Sequence, residues 1–148
     1  MLALWVGGIA LFTFIITPAI FSSYSRDMAG EIVGRLFPGY FLYNLVLSLL
    51  ALILFFIPRI VISDIAKKGF RLSLFCLVIA VLINIFVCFQ LHPEIKAIKK
   101  EIHSFDAVSS DEPLRMKFRS LHGISAVLNL LLLADGVTLL LVGTVIKK

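Results

Sequence analysis

Residues 121–146 read LHGISAVLNLLLLADGVTLLLVGTVI. A bilayer hydrocarbon core of about 30 Å needs ~20 mostly apolar residues in one helix, and this run is long enough. Its polar members (His122, Ser125, Asn129 and Asp135) stand at intervals rather than ending it. Working outward, residues 2–21, 41–57 and 72–91 are apolar runs of similar length. The chain therefore reads as an all-α, polytopic four-helix membrane bundle forming one integral membrane domain over residues 1–148.

Composition agrees. The chain is 60% hydrophobic, with a mean hydropathy of +1.05, well above a soluble globular protein. A net charge of +5 would suggest nucleic acid in a soluble protein. Here the basic residues cluster between apolar runs, a pattern that attracts anionic lipid headgroups. The expected partners are the lipid bilayer and a further copy or membrane partner subunit, with no nucleic acid. The first run lacks a basic leading segment and a small-residue cleavage site, so it is read as a retained helix.

Span one ends near Thr17-Pro18. Residues 22–36 carry Met28, Ile32, Val33 and Leu36 at helical spacing against Arg26, Asp27, Glu31 and Arg35, which predicts a short amphipathic helix in the membrane interface between spans one and two. Pro38-Gly39 is expected to break it, and Tyr40, Phe41 and Tyr43 to form an aromatic belt. Residues 60–71 form a short basic connection. Span three is expected to end at Gln90-Leu91-His92-Pro93, with Pro93 and Glu94 opening a separate polar helix. Residues 109–113 read as a solvated turn.

Basic residues orient such proteins. Six Lys and Arg share the side of the termini, and eight share the other. The total favours the longer loops inside, whereas the density of the 60–71 loop favours the termini. The reading adopted places both termini in the cytoplasm, in a bacterial cytoplasmic membrane.

Polar groups at membrane depth need partners, and that makes them functional candidates. His122, Ser125 and Asn129 share a stripe with Gly136 on an ideal helix, and they form the candidate ligand-binding set. Interhelical hydrogen bonding is the competing role for Ser125 and Asn129. Asn44 and Asn84 add amides that can form a polar layer with Asn129. Asp135 lies mid-span with no Lys or Arg in another span to pair with it, so desolvation disfavours its ionised form. It reads as a neutral donor, a proton carrier or a group facing a partner. Cys88 and His92 stand four apart on one face and can approach His122, with Thr17 nearby. Thiol and imidazole suit copper or zinc, which makes Cys88, His92 and His122 a candidate metal set. Packing of Cys88 and a headgroup position for His92 are the plainer alternative. Cys76 and Cys88 lie about 18 Å apart along one helix and cannot form a disulfide with each other. No paired-carboxylate site, nucleophile–base pair, phosphate loop or zinc-protease motif occurs, so no catalytic residue is assigned.

Several motifs carry a resemblance. Leu4-Trp5-Val6-Gly7-Gly8, Pro18-Ala19-Ile20-Phe21, the stretch from Ala29-Gly30 through Gly34-Arg35-Leu36-Phe37-Pro38-Gly39-Tyr40-Phe41, and Leu121-His122-Gly123-Ile124-Ser125 with Leu128-Asn129 resemble the transmembrane protein 205-like family. The resemblance implies a four-helix membrane protein that handles a metal ion or small solute. The layout is more distantly similar to copper resistance protein D and to HemJ-type protoporphyrinogen oxidases, whose haem-binding first helix bears a histidine that this one lacks. Gly7-Gly8 is expected to admit another helix and Trp5 to anchor the interface. Ala29, Gly30 and Gly34 are expected to lie against the bundle, closing it over Thr17, His92 and His122. Three functional expectations follow, in order: binding of a metal ion, small solute or cofactor such as haem; a structural or assembly subunit; and a porphyrin-linked oxidoreductase.

Overall fold

A computed structural model describes residues 1–61, 67–102 and 113–145, with side chains within 1–57, 69–102 and 113–143. The side chains of Arg59, Lys67 and Lys68 lie outside these residues. So do His103, the turn at 109–112 and Lys147-Lys148. Helix α1 runs Leu2–Ser23, α2 runs Arg26–Val61 and α4 runs Pro113–Val145. Helix α3 joins Lys67–Phe86, Val87–Leu91 and His92–Glu101 end to end. All four are long and apolar enough to cross a membrane, and no strand occurs among the described residues. In hydrocarbon the backbone must satisfy its own hydrogen bonds, which is why these runs become helices.

The helices close into a ring, with α1 and α3 each packing against both α2 and α4. Two apolar layers fill it. Toward the termini, Trp5 and Ile9 meet Leu47, Ala80, Leu132 and Leu139. Toward the other end, Phe12, Tyr40 and Phe41 meet Val87, Leu91 and Ile95. Gly8 and Gly136 allow the closest approaches. A Cβ on Gly8 would stand 2.6 Å from the Tyr43 ring, and one on Gly136 would stand 2.6 Å from Val6 Cγ2. Gly7 has nothing within 4 Å, so only the second glycine of that pair admits a neighbour.

The bundle interior also holds fully buried amides. Asn84 Nδ2 donates to Ser48 Oγ at 3.2 Å and to the Ala80 carbonyl at 3.0 Å. Asn44 is 1% exposed, and its Oδ1 has no partner among the described residues. Hydrogen bonds of this kind join membrane helices for about 0.6 kcal/mol on average.

The amphipathic stretch after span one is not a separate helix. It forms the first turns of α2, which continues through Pro38-Gly39 without a break. Proline removes one N–H, the partner of the Gly34 carbonyl, and its ring crowds that turn. Gly34 carries no side chain there, while Phe37, Tyr40 and Phe41 pack into the core on both sides of Pro38. Interior packing therefore holds the turn. It also removes the expected aromatic belt: Tyr40 and Phe41 are buried, and the Tyr43 hydroxyl donates to the Leu4 carbonyl at 2.6 Å. Trp5 is 0% exposed and is a core residue rather than an interfacial anchor.

Span three likewise does not end at His92-Pro93. Its helix widens into a π-turn, Val87–Leu91, and continues to Glu101. Helix α1 repeats the device with a π-turn at Phe12–Ile16, ahead of Thr17-Pro18. In each case the wide turn lies just before a proline. It accommodates the carbonyl that the proline ring would crowd and that lacks an N–H partner.

Candidate functional site

The end of the bundle away from the termini holds a half-open cavity of about 550 Å³. Each helix contributes a stripe. Helix α1 supplies Thr17 and Phe21, just past its π-turn. The amphipathic start of α2 supplies Arg26, Gly30, Val33, Gly34 and Phe37, and α3 supplies His92, Ile95, Lys96 and Lys99. Helix α4 supplies Arg115, Phe118, Arg119 and His122. On α3 and α4 these positions recur every three or four residues, so each set shares one helix face.

Aromatic rings surround the two histidines. The Phe37 ring centroid is 6.2 Å from His92 and 6.4 Å from His122. Phe41 meets His92 edge-on at 5.1 Å, and Phe118 lies parallel to His122 at 5.9 Å. His92 Nε2 is buried with no hydrogen-bond partner among the described residues, whereas His122 is exposed at the cavity. Two imidazoles thus face one space through apolar surroundings.

The wall is cationic. Among the described residues, five Arg and Lys line it alongside the histidines, and no Asp or Glu does. The Lys99 ammonium donates to the Gly30 carbonyl. It can reach the α2 backbone because positions 30 and 34 are glycines: a Cβ on Gly34 would stand 3.1 Å from Lys99 Nζ. Asp27 and Glu31 act on the Lys99 charge from outside the wall. Glu94 pairs with Lys117 at 3.1 Å, and Glu31 pairs with Arg35 at 2.6 Å. The side chains of both pairs are exposed.

The structure brings Thr17, Gly30, Gly34, His92 and His122 to one space. The other singled-out residues lie elsewhere. Asn129 ties three helices together: its Oδ1 accepts from the Tyr40 hydroxyl at 2.5 Å, and its Nδ2 donates to Thr13 Oγ1 at 2.8 Å. Ser125 is half-buried and does not line the cavity. Cys88 packs against the apolar layer of Phe12, Tyr40 and Val87. Among the described residues, no group of three or more His, Cys, Asp or Glu could hold a metal ion. Asp135 is half-buried deep in α4 and interacts with Cys76, and its buried Oδ2 has no hydrogen-bond partner among the described residues.

Sequence reasoning did not place Arg26, Lys96, Lys99 or Arg119 in this site, having assigned the basic clusters to headgroups. The signal was the repeat His92, Lys96, Lys99 and its counterpart Arg115, Arg119, His122. Each puts two cations and a histidine on one helix face.

Four membrane-length helices closing over a cavity at one end define a multi-pass membrane protein of the helical-bundle kind. The sequence profile described as Domain of unknown function (DUF4149) matches residues 1–104, most of the chain, and the chain belongs to that family. No curated protein and no solved structure matches it. The matched stretch carries Thr17, the α2 wall and the α3 wall. His122, Ser125, Asn129 and Asp135 lie beyond it.

Proposed function

We propose that this protein binds a small solute in the cavity between Thr17, His92 and His122. The observation that carries the reading is the cavity itself. At about 550 Å³ it falls within the ~300–1,000 Å³ range of small-molecule sites. Its wall joins apolar side chains to cationic and polar groups drawn from all four helices. The resemblance to the transmembrane protein 205-like family supports solute handling. A transition metal or haem remains an alternative occupant, but the two cavity histidines gain no third donor from Cys88 among the described residues. An organic solute therefore accounts for more of the wall than a metal ion does.

The test compares the detergent-purified wild-type protein with His122→Ala by small-molecule mass spectrometry, absorption spectroscopy and metal analysis. A co-purifying solute that is lost from a still-helical variant supports the reading. A Soret band or stoichiometric copper or zinc, lost likewise, replaces the solute with a cofactor. Identical, ligand-free preparations overturn it.

An assembly role is the second reading. Only 17% of the apolar windows of α1 and α4 is buried, against 33% for α2 and 39% for α3. A partner copy or subunit would cover the α1 and α4 faces, which lipid covers otherwise.

A further inference from the structure

Resting on the solute-binding reading, we propose that the occupant is a phosphate-headed amphiphile, an anionic lipid whose phosphoryl group sits among the α3 and α4 cations. Three observations converge. The first is charge. Lys96 and Lys99 lie one turn apart on α3 and Arg119 faces the same space from α4; among the described residues no acid lines it, Glu31 and Asp27 of α2 acting on Lys99 from outside the wall. Like charges so placed repel one another, and an anion between them relieves that repulsion while a cationic solute adds to it.

The second is donor geometry. The Lys99 ammonium has three donors, and the Gly30 carbonyl takes one. Glycine at 30 and 34 lets this ammonium lie against α2 at the cavity wall. Arginine matches phosphate with two parallel N–H donors, and lysine serves as a point charge. The set thus combines the two kinds of donor that recognise a phosphoryl oxygen cluster.

The third is the apolar share of the wall. Phe21, Val33, Phe37, Ile95 and Phe118 line the same space, and a free inorganic anion would leave this surface uncovered. The cavity lies at the level where the apolar runs end, near residues 21, 92 and 121. That is the depth at which a lipid presents its phosphate above its chains. Phosphate chemistry is common to a lipid headgroup and to a free phosphate, and the apolar wall selects the lipid.

The experiment is native mass spectrometry of the full chain in a neutral detergent. It is titrated in parallel with phosphatidylglycerol, with phosphatidylcholine and with inorganic phosphate. Retention of phosphatidylglycerol in preference to phosphatidylcholine is expected, with no competition from millimolar phosphate. Removing two cations by Lys96→Gln with Arg119→Gln should weaken retention roughly tenfold or more. Lys100→Gln, on the same helix but outside the wall, should leave it unchanged. Melting curves and each single substitution show that the variants remain folded.

Equal retention of both lipids, or an undiminished signal in the folded double variant, overturns the proposal. Full competition by inorganic phosphate overturns the lipid assignment in favour of a free anion. A different co-purifying solute lost in His122→Ala, with no response to phosphatidylglycerol, overturns this inference and leaves the solute-binding reading standing. Absence of any bound molecule overturns both.

Discussion

Single atoms decide much of this protein. Gly7 and Gly8 are adjacent and chemically identical, yet only Gly8 carries the packing load, because the Tyr43 ring occupies the place of its missing Cβ. Gly8→Ala must displace Tyr43 and its bond to the Leu4 carbonyl. It should cost about 1–3 kcal/mol, as overpacking does elsewhere. Gly7→Ala has open space and should stay within about 0.5 kcal/mol of wild type. Thermal unfolding of the two variants in one detergent checks the contrast, and equal losses would contradict the packing described. The polar residues divide in the same way. His122 and Asn129 share a stripe in the sequence, but His122 faces the cavity while Asn129 is taken up by Tyr40 and Thr13. The stripe was legible from spacing. The partners that divide it came from helices α1 and α2 and were not.

At the level of the element, the four helices were legible because apolar runs of bilayer length leave the backbone no alternative. Their limits were less so. Proline read as a helix terminator at 38 and 93, and in both places the helix continues. A π-turn before Pro93 holds an extra residue, and this sets which face His92, Lys96 and Lys99 present. Pro93→Ala restores an N–H for the Phe89 carbonyl and favours a plain α-helical turn. Losing the extra residue would rotate the following turns by about 100°. Because that rotation would carry Ile95 out of its apolar layer, melting temperature should fall, and retention of the cavity ligand should fall several-fold. Unchanged binding would show that the α3 wall does not depend on the wide turn.

Across the whole molecule, the distribution of burial makes a sharp forecast. Leu131 is 52% exposed and the adjacent Leu132 only 3%. With Cys76 and Cys88 replaced by Ala, spin labels at the two positions should differ in accessibility to membrane-dissolved oxygen, high at 131 and low at 132. Protection of position 131 in a native bilayer would mean that another protein covers the α4 face, and would favour the assembly reading.

The sequence by itself determined the number of spans, the all-α class and the clustering of cations between the apolar runs. Those properties follow from local composition set against the thickness and low polarity of the bilayer. It also placed Gly30, Gly34, His92 and His122 near one another, because ends of successive antiparallel spans must meet. Only the tertiary structure decided that Trp5, Tyr40 and Phe41 are core residues, that Asn129 is a tie between helices, and that Lys96, Lys99 and Arg119 line a shared cavity. Each of these depends on the rotation of one helix against another. Rotation is set by side-chain packing across the bundle, glycine by glycine and ring by ring, and no single run of sequence contains it.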